Sequence, residues 1–89
     1  YGSYGFTGRL IVDLLKRKDL RVLLSGRDAN KLAAQAAATS LPYVVASCDD
    51  HESLVKLLQK TKIILHCGGP FIHTASAMVA ACLETGTHY

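Results

Sequence analysis

No apolar stretch in these 89 residues approaches the roughly 20 needed to cross a bilayer. The opening residues are rich in glycine and lack the charged-then-apolar order of a secretory leader. Three cysteines, Cys48, Cys67 and Cys82, form neither a CxxC pair nor a zinc-ligand spacing, so reduced thiols and an intracellular setting are the expectation. The histidines at 51, 66, 73 and 88 fall in no HxxH, HExxH or Cys/His cluster, and no metal site is expected. Charge is also scarce. The net value is +3, and Lys16-Arg17-Lys18 is the longest basic run, which suits the solvated end of a helix better than a nucleic-acid surface. No repeat or linker divides the chain, and its compositional bias is confined to a modest alanine enrichment at 33–38. One domain, or part of one, is expected.

What is there is a rhythm. After the glycines, Leu10, Ile11, Leu14 and Leu15 fall on one side of a helical wheel, and Arg9, Asp13, Lys16 and Arg17 on the other, which predicts a helix over Phe6 to Lys18 with one buried stripe. Leu20 to Ser25 is a short apolar run closed by Gly26 and reads as a buried strand. Asp28 is placed to cap a second helix, carrying Leu32 and the alanines to Ala38. Pro42 leads into a strand over Tyr43 to Ser47. Asp50 is placed to cap a third helix with Leu54, Val55, Leu57 and Leu58 on its apolar face. Lys62 to Cys67 reads as another buried strand, broken by Gly68-Gly69-Pro70. A fourth helix spans about Thr74 to Glu84, Gly86 stands where helices commonly end, and Thr87 to Tyr89 approach one further strand.

Strands alternating with helices, each strand almost wholly apolar, imply an α/β fold: a Rossmann-type, doubly wound parallel sheet with helices on both faces. The sheet is expected to be present only in part. A glycine loop of this kind normally follows a strand that lies centrally, in the order 3-2-1-4-5-6, yet only Tyr1 stands before Gly2. Without that strand the second and fourth would lack their shared neighbour. The chain is therefore read as an excerpt of a longer polypeptide, whose later strands and substrate-binding domain are not in these residues.

The chemistry lies in the loops. Gly2, Gly5 and Gly8 are spaced G-x-x-G-x-x-G, which suits a tight strand-to-helix turn, close approach of backbone to a pyrophosphate, and close packing of helix on sheet. Free N–H groups and the helix dipole then favour the anion. The same spacing also serves ordinary turns, but here it opens an amphipathic helix leading into β-α-β. Where a site for NAD would present an acid to the ribose 2′-hydroxyl, this sequence has Ser25-Gly26-Arg27, with Lys31 a turn later. Arginine grips a 2′-phosphate with paired donors and an acid repels it, so NADP is expected ahead of NAD, and Asp28 is better explained as a cap. Asp49 can bond the adenine amino group or serve as a loop acid; both readings stay open. Gly68-Gly69-Pro70 ends the fourth strand on the sheet edge where ligands of such folds gather. His73 lies near that loop, as a helix-starting polar residue first and a functional one second. No Ser-Tyr-Lys arrangement with Y-x-x-x-K spacing is present.

With those residues in view, the chain resembles the saccharopine dehydrogenase-like oxidoreductases over essentially its whole length. The likeness rests on G-S-Y-G-F-T-G-R-L at 2–10, S-G-R-D-A-N-K-L at 25–32, C-D-D-H-E-S-L at 48–54, G-G-P-F at 68–71 and A-C-L-E-T-G-T-H-Y at 81–89. It implies an NAD(P)-binding amino-terminal domain followed by a larger catalytic or substrate domain. It further implies that Gly2, Ser3, Tyr4, Gly5, Phe6 and Thr7, with Arg27, contact the cofactor, and that Gly69-Pro70 lie beside the nicotinamide. Two departures stand out. Tyr4 occupies a place where the family usually has a small residue, and the second strand ends in Ser-Gly-Arg instead of the acid of an NAD-dependent saccharopine-forming enzyme. Relatives in that family include enoyl reductases acting in trans on lipid synthesis, so the family name does not fix lysine metabolism as the substrate class.

The expectation is an NADP-dependent oxidoreductase whose hydride chemistry belongs to the cofactor, while these residues bind and orient it. A catalytic acid or base, a substrate and an oligomeric state, a homodimer included, are not readable here. The alternative is a non-enzymatic NAD(P)-binding redox sensor, which fold alone does not separate from an enzyme.

Overall fold

The computed structural model describes residues 1–68 and 71–89, with side chains from Thr74 onward in the second stretch. The element order is α1 (Phe6–Arg17), β1 (Leu24–Gly26), α2 (Ala29–Thr39), β2 (Tyr43–Val45), α3 (His51–Leu58) and α4 (Phe71–Thr85). Local chemistry sets most boundaries. Asp28 caps α2 by accepting the Lys31 N–H at 3.0 Å, and Asp50 caps α3 by accepting the Ser53 N–H at 3.3 Å. Gly86 leaves α4 at φ +72°, and the Thr87 N–H beyond it returns to the Cys82 carbonyl at 3.1 Å. No described helix is long and apolar enough to cross a membrane.

β1 and β2 pair in parallel, with Leu24 opposite Tyr43 and Gly26 opposite Val45. Tyr1 and Gly2 continue the sheet on the other side of β1. The Gly2 N–H donates to the Ser25 carbonyl at 2.7 Å, and the Cys67 N–H donates to the Tyr1 carbonyl at 2.8 Å. The Tyr1 amino group donates in turn to the Leu65 carbonyl at 2.8 Å. Farther out, Ile63 and His88 form a parallel bridge. The lateral order is therefore β2, β1, Tyr1–Gly2, residues 62–67, then Thr87–Tyr89, which follows the doubly wound order 3-2-1-4-5 with Tyr1–Gly2 in the central place.

Three strands are shorter than the apolar runs imply. Regular pairing covers Leu24–Gly26 rather than Leu20–Ser25, and Tyr43–Val45 rather than Tyr43–Ser47, while Lys62–Cys67 contributes only a bridge. The physical reason is an open groove beside them. Between residues 20–24 and 61–65 runs a largely apolar groove of about 460 Å³, with Tyr1 and Cys67 at one end and Ile11, Val12 and Leu15 of α1 among its lining. The Leu24 N–H bonds outward to Pro42 and the Ile64 N–H outward to His88. By alternation, the backbone groups of Leu23 and Ile63 point into the groove, where a ladder would need a strand.

Two apolar clusters hold the layers together. Val12, Leu24 and Leu32 form one with α1 and α2. Ala46, Leu54, Leu57, Leu58, Ile64, Met78, Ala81 and Cys82 form the other with α3 and α4. Leu24 belongs to the first and Leu23 packs against the second, so neighbouring side chains of one strand serve opposite faces. Helices thus cover both sides of the sheet, as the sequence predicts.

Candidate functional site

The glycine loop is built by steric exclusion. Gly2 sits at φ +80°, and a Cβ there would lie 2.6 Å from the Gly68 nitrogen. Two costs therefore meet at one position: left-handed backbone and a collision with the neighbouring chain. At Gly8, inside the first turns of α1, a Cβ would fall 2.3 Å from the Gly2 carbonyl oxygen. The loop folds directly over the helix start, and any side chain would lift it. Gly5 is the N-cap of α1, and no side chain caps that helix. Its first N–H groups therefore have no side-chain acceptor, an arrangement that suits an anion.

A cleft of about 430 Å³ opens beside this loop, at the carboxyl ends of the strands, lined by Gly2, Tyr4, Gly5, Arg27, Asp49 and Gly68 among others. Its size lies within the range of cofactor pockets, about 300–1,000 Å³. The apolar groove described above is a different feature, lined mainly by aliphatic side chains of α1 and of residues 20–24 and 61–65. Arg27 follows β1 and is exposed. Lys31 places its ammonium 5.6 Å from the centre of the Tyr4 ring. Asp49 is exposed, with its N–H held by the Ser47 hydroxyl at 3.2 Å.

Not every residue singled out in the sequence faces the cleft. Ser3 is buried beneath the loop: its hydroxyl donates to Gln35 Oε1 at 2.7 Å, and Gln35 Nε2 donates back to the Ser3 carbonyl at 2.8 Å. This reciprocal pair fastens the loop to α2. Gly8 is likewise buried, Thr7 is exposed, and Phe6 is 84% exposed. Gly69, Pro70 and the side chains of Phe71 and His73 lie outside the described residues.

Three contributors escaped the sequence reading. Gln35 had one visible signal, being the lone polar side chain in A-A-Q-A-A-A. Thr74 donates to the Gly68 carbonyl at 3.1 Å and lies 2.9 Å from His66 Nε2, anchoring the far rim of the cleft. Tyr1 donates its hydroxyl to the Ala46 carbonyl at 2.9 Å and meets the His66 ring edge-on. Burial raises the Tyr1 phenol well above its ordinary value, with the neighbouring Cys48 adding to the effect. Burial also lowers the His66 imidazole, which favours its neutral form. His51 pairs with Glu84 at the surface. Cys82 is buried, whereas Cys48 and Cys67 are only half-buried and border the cleft.

Over residues 1–89 the sequence matches the family described as saccharopine dehydrogenase NADP binding domain. A trans-acting enoyl reductase of Mycobacterium ulcerans is 32% identical over 96 residues, covering 100% of this chain and 23% of that protein. A probable mitochondrial saccharopine dehydrogenase-like oxidoreductase of Arabidopsis thaliana is 34% identical over 104 residues, covering 99% of this chain and 23% of its own length. The chain thus spans about a quarter of these relatives. Among solved structures, AtPrR2 in apo form superposes with a TM-score of 0.80 at 24% identity, over 98% of this chain and 33% of that one. An isoflavone reductase does so with a TM-score of 0.78 at 21% identity, over 98% of this chain and 32% of its own. These two likenesses establish the Rossmann-type architecture.

Proposed function

Because this chain belongs to the saccharopine dehydrogenase NADP-binding domain family, we propose that the cleft holds NADP and that the protein containing it is an NADP-dependent oxidoreductase. The observation carrying this reading is the convergence of Gly2, Gly5, Arg27 and Gly68 on one cleft at the uncapped start of α1. In this reading the pyrophosphate lies over Gly2–Thr7, favoured by the helix dipole and bonded by backbone N–H groups other than those of Gly2, Ser3 and Gly5, which donate to the Ser25 and Gly2 carbonyls. Arg27 and Lys31 meet the 2′-phosphate, the arginine with two parallel donors. Asp49 serves the adenine side. Gly68, Gly69 and Pro70 border the nicotinamide half, where small residues admit the ring and proline stiffens the loop. The cofactor supplies the hydride, and the residues of this chain hold and orient it. The names of the relatives are those of reductases and oxidoreductases, which gives the sensor alternative no support.

The test is a titration of the full-length protein with NADPH and NADH, followed by nicotinamide fluorescence and repeated with Arg27→Ala. Loss of a bidentate charged contact predicts a fall in NADPH affinity of roughly tenfold to a hundredfold, with NADH little changed. A wild-type protein that binds neither nucleotide would reduce the glycine loop to a turn and sink the reading.

A further inference from the structure

Tyr4 is the one bulky aromatic set into the turn before α1, and it reaches away from that turn, across the end of β1. Its ring covers Gly26 so closely that a Cβ on that glycine would stand 2.4 Å from Tyr4 Cε2. Its hydroxyl oxygen accepts the Asp28 N–H at 3.2 Å. The Lys31 ammonium stands 5.6 Å from the ring centre, within cation–π range. One side chain from the pyrophosphate loop therefore touches three consecutive parts of the segment that carries Arg27: the residue before it, the residue after it, and the lysine one turn on.

The hydrogen-bond inventory of this phenol is informative. A tyrosine hydroxyl can accept and can also donate one proton. Here the oxygen accepts from the backbone, and among the described residues no acceptor for its proton is within bonding range. Tyr4 lines the cleft together with Arg27. Accepting from an N–H polarises the O–H, which makes it a better donor toward an anion.

We propose that Tyr4 is a specificity-determining residue for the 2′-phosphate: its hydroxyl donates to a phosphate oxygen while its ring holds Lys31 over the same group. The inference rests on the reading of the cleft as an NADP site. It assigns a third donor beside Arg27 and Lys31, one supplied by the glycine loop itself. Loop and phosphate reader then become one unit. A dinucleotide lacking the 2′-phosphate leaves the phenol proton without its anionic partner, and the discrimination extends beyond a single arginine.

The experiment is a titration of the full-length protein and its Tyr4→Phe variant with NADPH, NADH and 2′,5′-ADP, the last reporting the adenosine half alone. Phenylalanine keeps the ring on Gly26 and under Lys31 and removes the hydroxyl, together with the bond it accepts from the Asp28 N–H. The expected result is a loss of about tenfold in affinity for NADPH and for 2′,5′-ADP, with NADH unchanged, as suits one charge-assisted hydrogen bond. Lys31→Gln serves as the second variant and is expected to lower the same two affinities by a smaller factor, about threefold. Equal losses for NADPH and NADH in Tyr4→Phe would reduce Tyr4 to a shaping residue of the loop and overturn the assignment, as would unchanged affinities. Wild-type protein without a preference for NADPH overturns the NADP reading and this inference together, and the wild-type titration alone tells that failure apart.

Discussion

Three glycines separate two physical reasons for lacking a side chain, and alanine at each gives a different expected cost. Gly86 stands at φ +72° with nothing within 4 Å of a built Cβ, so Gly86→Ala carries only the left-handed backbone penalty, about 1–2 kcal/mol. Gly2 has the same backbone sign and also faces the Gly68 nitrogen at 2.6 Å. Overpacking against backbone that cannot rotate away adds about 1–3 kcal/mol, for a total of roughly 2–5 kcal/mol. Gly8 lies inside α1, where alanine would ordinarily gain about 1 kcal/mol, but its Cβ would meet the Gly2 carbonyl oxygen at 2.3 Å. The two effects nearly cancel in stability, leaving a net cost of roughly 0–2 kcal/mol. The strain is relieved by displacing the loop that faces the cleft. Gly8→Ala should therefore fold nearly normally yet lose tenfold or more in NADPH affinity, because a loop displaced by a fraction of an ångström no longer aims its N–H groups together. Urea unfolding of the full-length protein gives the stabilities and nicotinamide fluorescence the affinities. A Gly8→Ala protein stabilised by its helix propensity, with NADPH binding intact, would refute the reasoning, as would a Gly86→Ala cost equal to that of Gly2→Ala.

Two further outcomes follow from the packing. Asp28→Ala removes the cap that accepts the Lys31 N–H and is expected to cost about 1 kcal/mol in urea unfolding; a neutral result would show that water replaces the carboxylate without penalty. Leu57→Ala hollows the cluster that joins α3 to α4, where Leu57 is 1% exposed, and is expected to cost about 2–5 kcal/mol. Thermal unfolding of the variant alongside Leu83→Ala, at a position 79% exposed, provides the check: near-equal shifts would mean that this cluster does not hold the layer.

Local signals were legible in the sequence and long-range ones were not. Asp28, Asp50 and Gly86 announce their roles because capping depends on neighbours three or four residues away. The apolar run before Gly26 announces a buried strand, whereas the run before Gly68 yields a single bridge and leaves Ile63 and Leu65 exposed, because strand length depends on a partner, and the partner of Leu23 and Ile63 is no local matter. The glycine spacing and Arg27 point to one cleft because the fold brings loops after parallel strands to the same edge. The reach of Tyr4 to Asp28, across 24 residues, and of Gln35 to Ser3, across 32, leave no trace in spacing or periodicity. Tyr4 showed itself only as an oddity, a large ring where a small residue was expected. Gln35 showed itself only as a polar break in a run of alanines.

The groove beside Tyr1 also governs how this chain behaves as a material. Leu23 and Ile63 turn backbone donors and acceptors toward one another over an apolar floor, which is a template for any extended apolar chain that drifts by. On that geometry the 89-residue chain is expected to recruit strands from its own copies. Its time in solution is then set by concentration more than by heat, with light scattering that climbs steeply as it is concentrated.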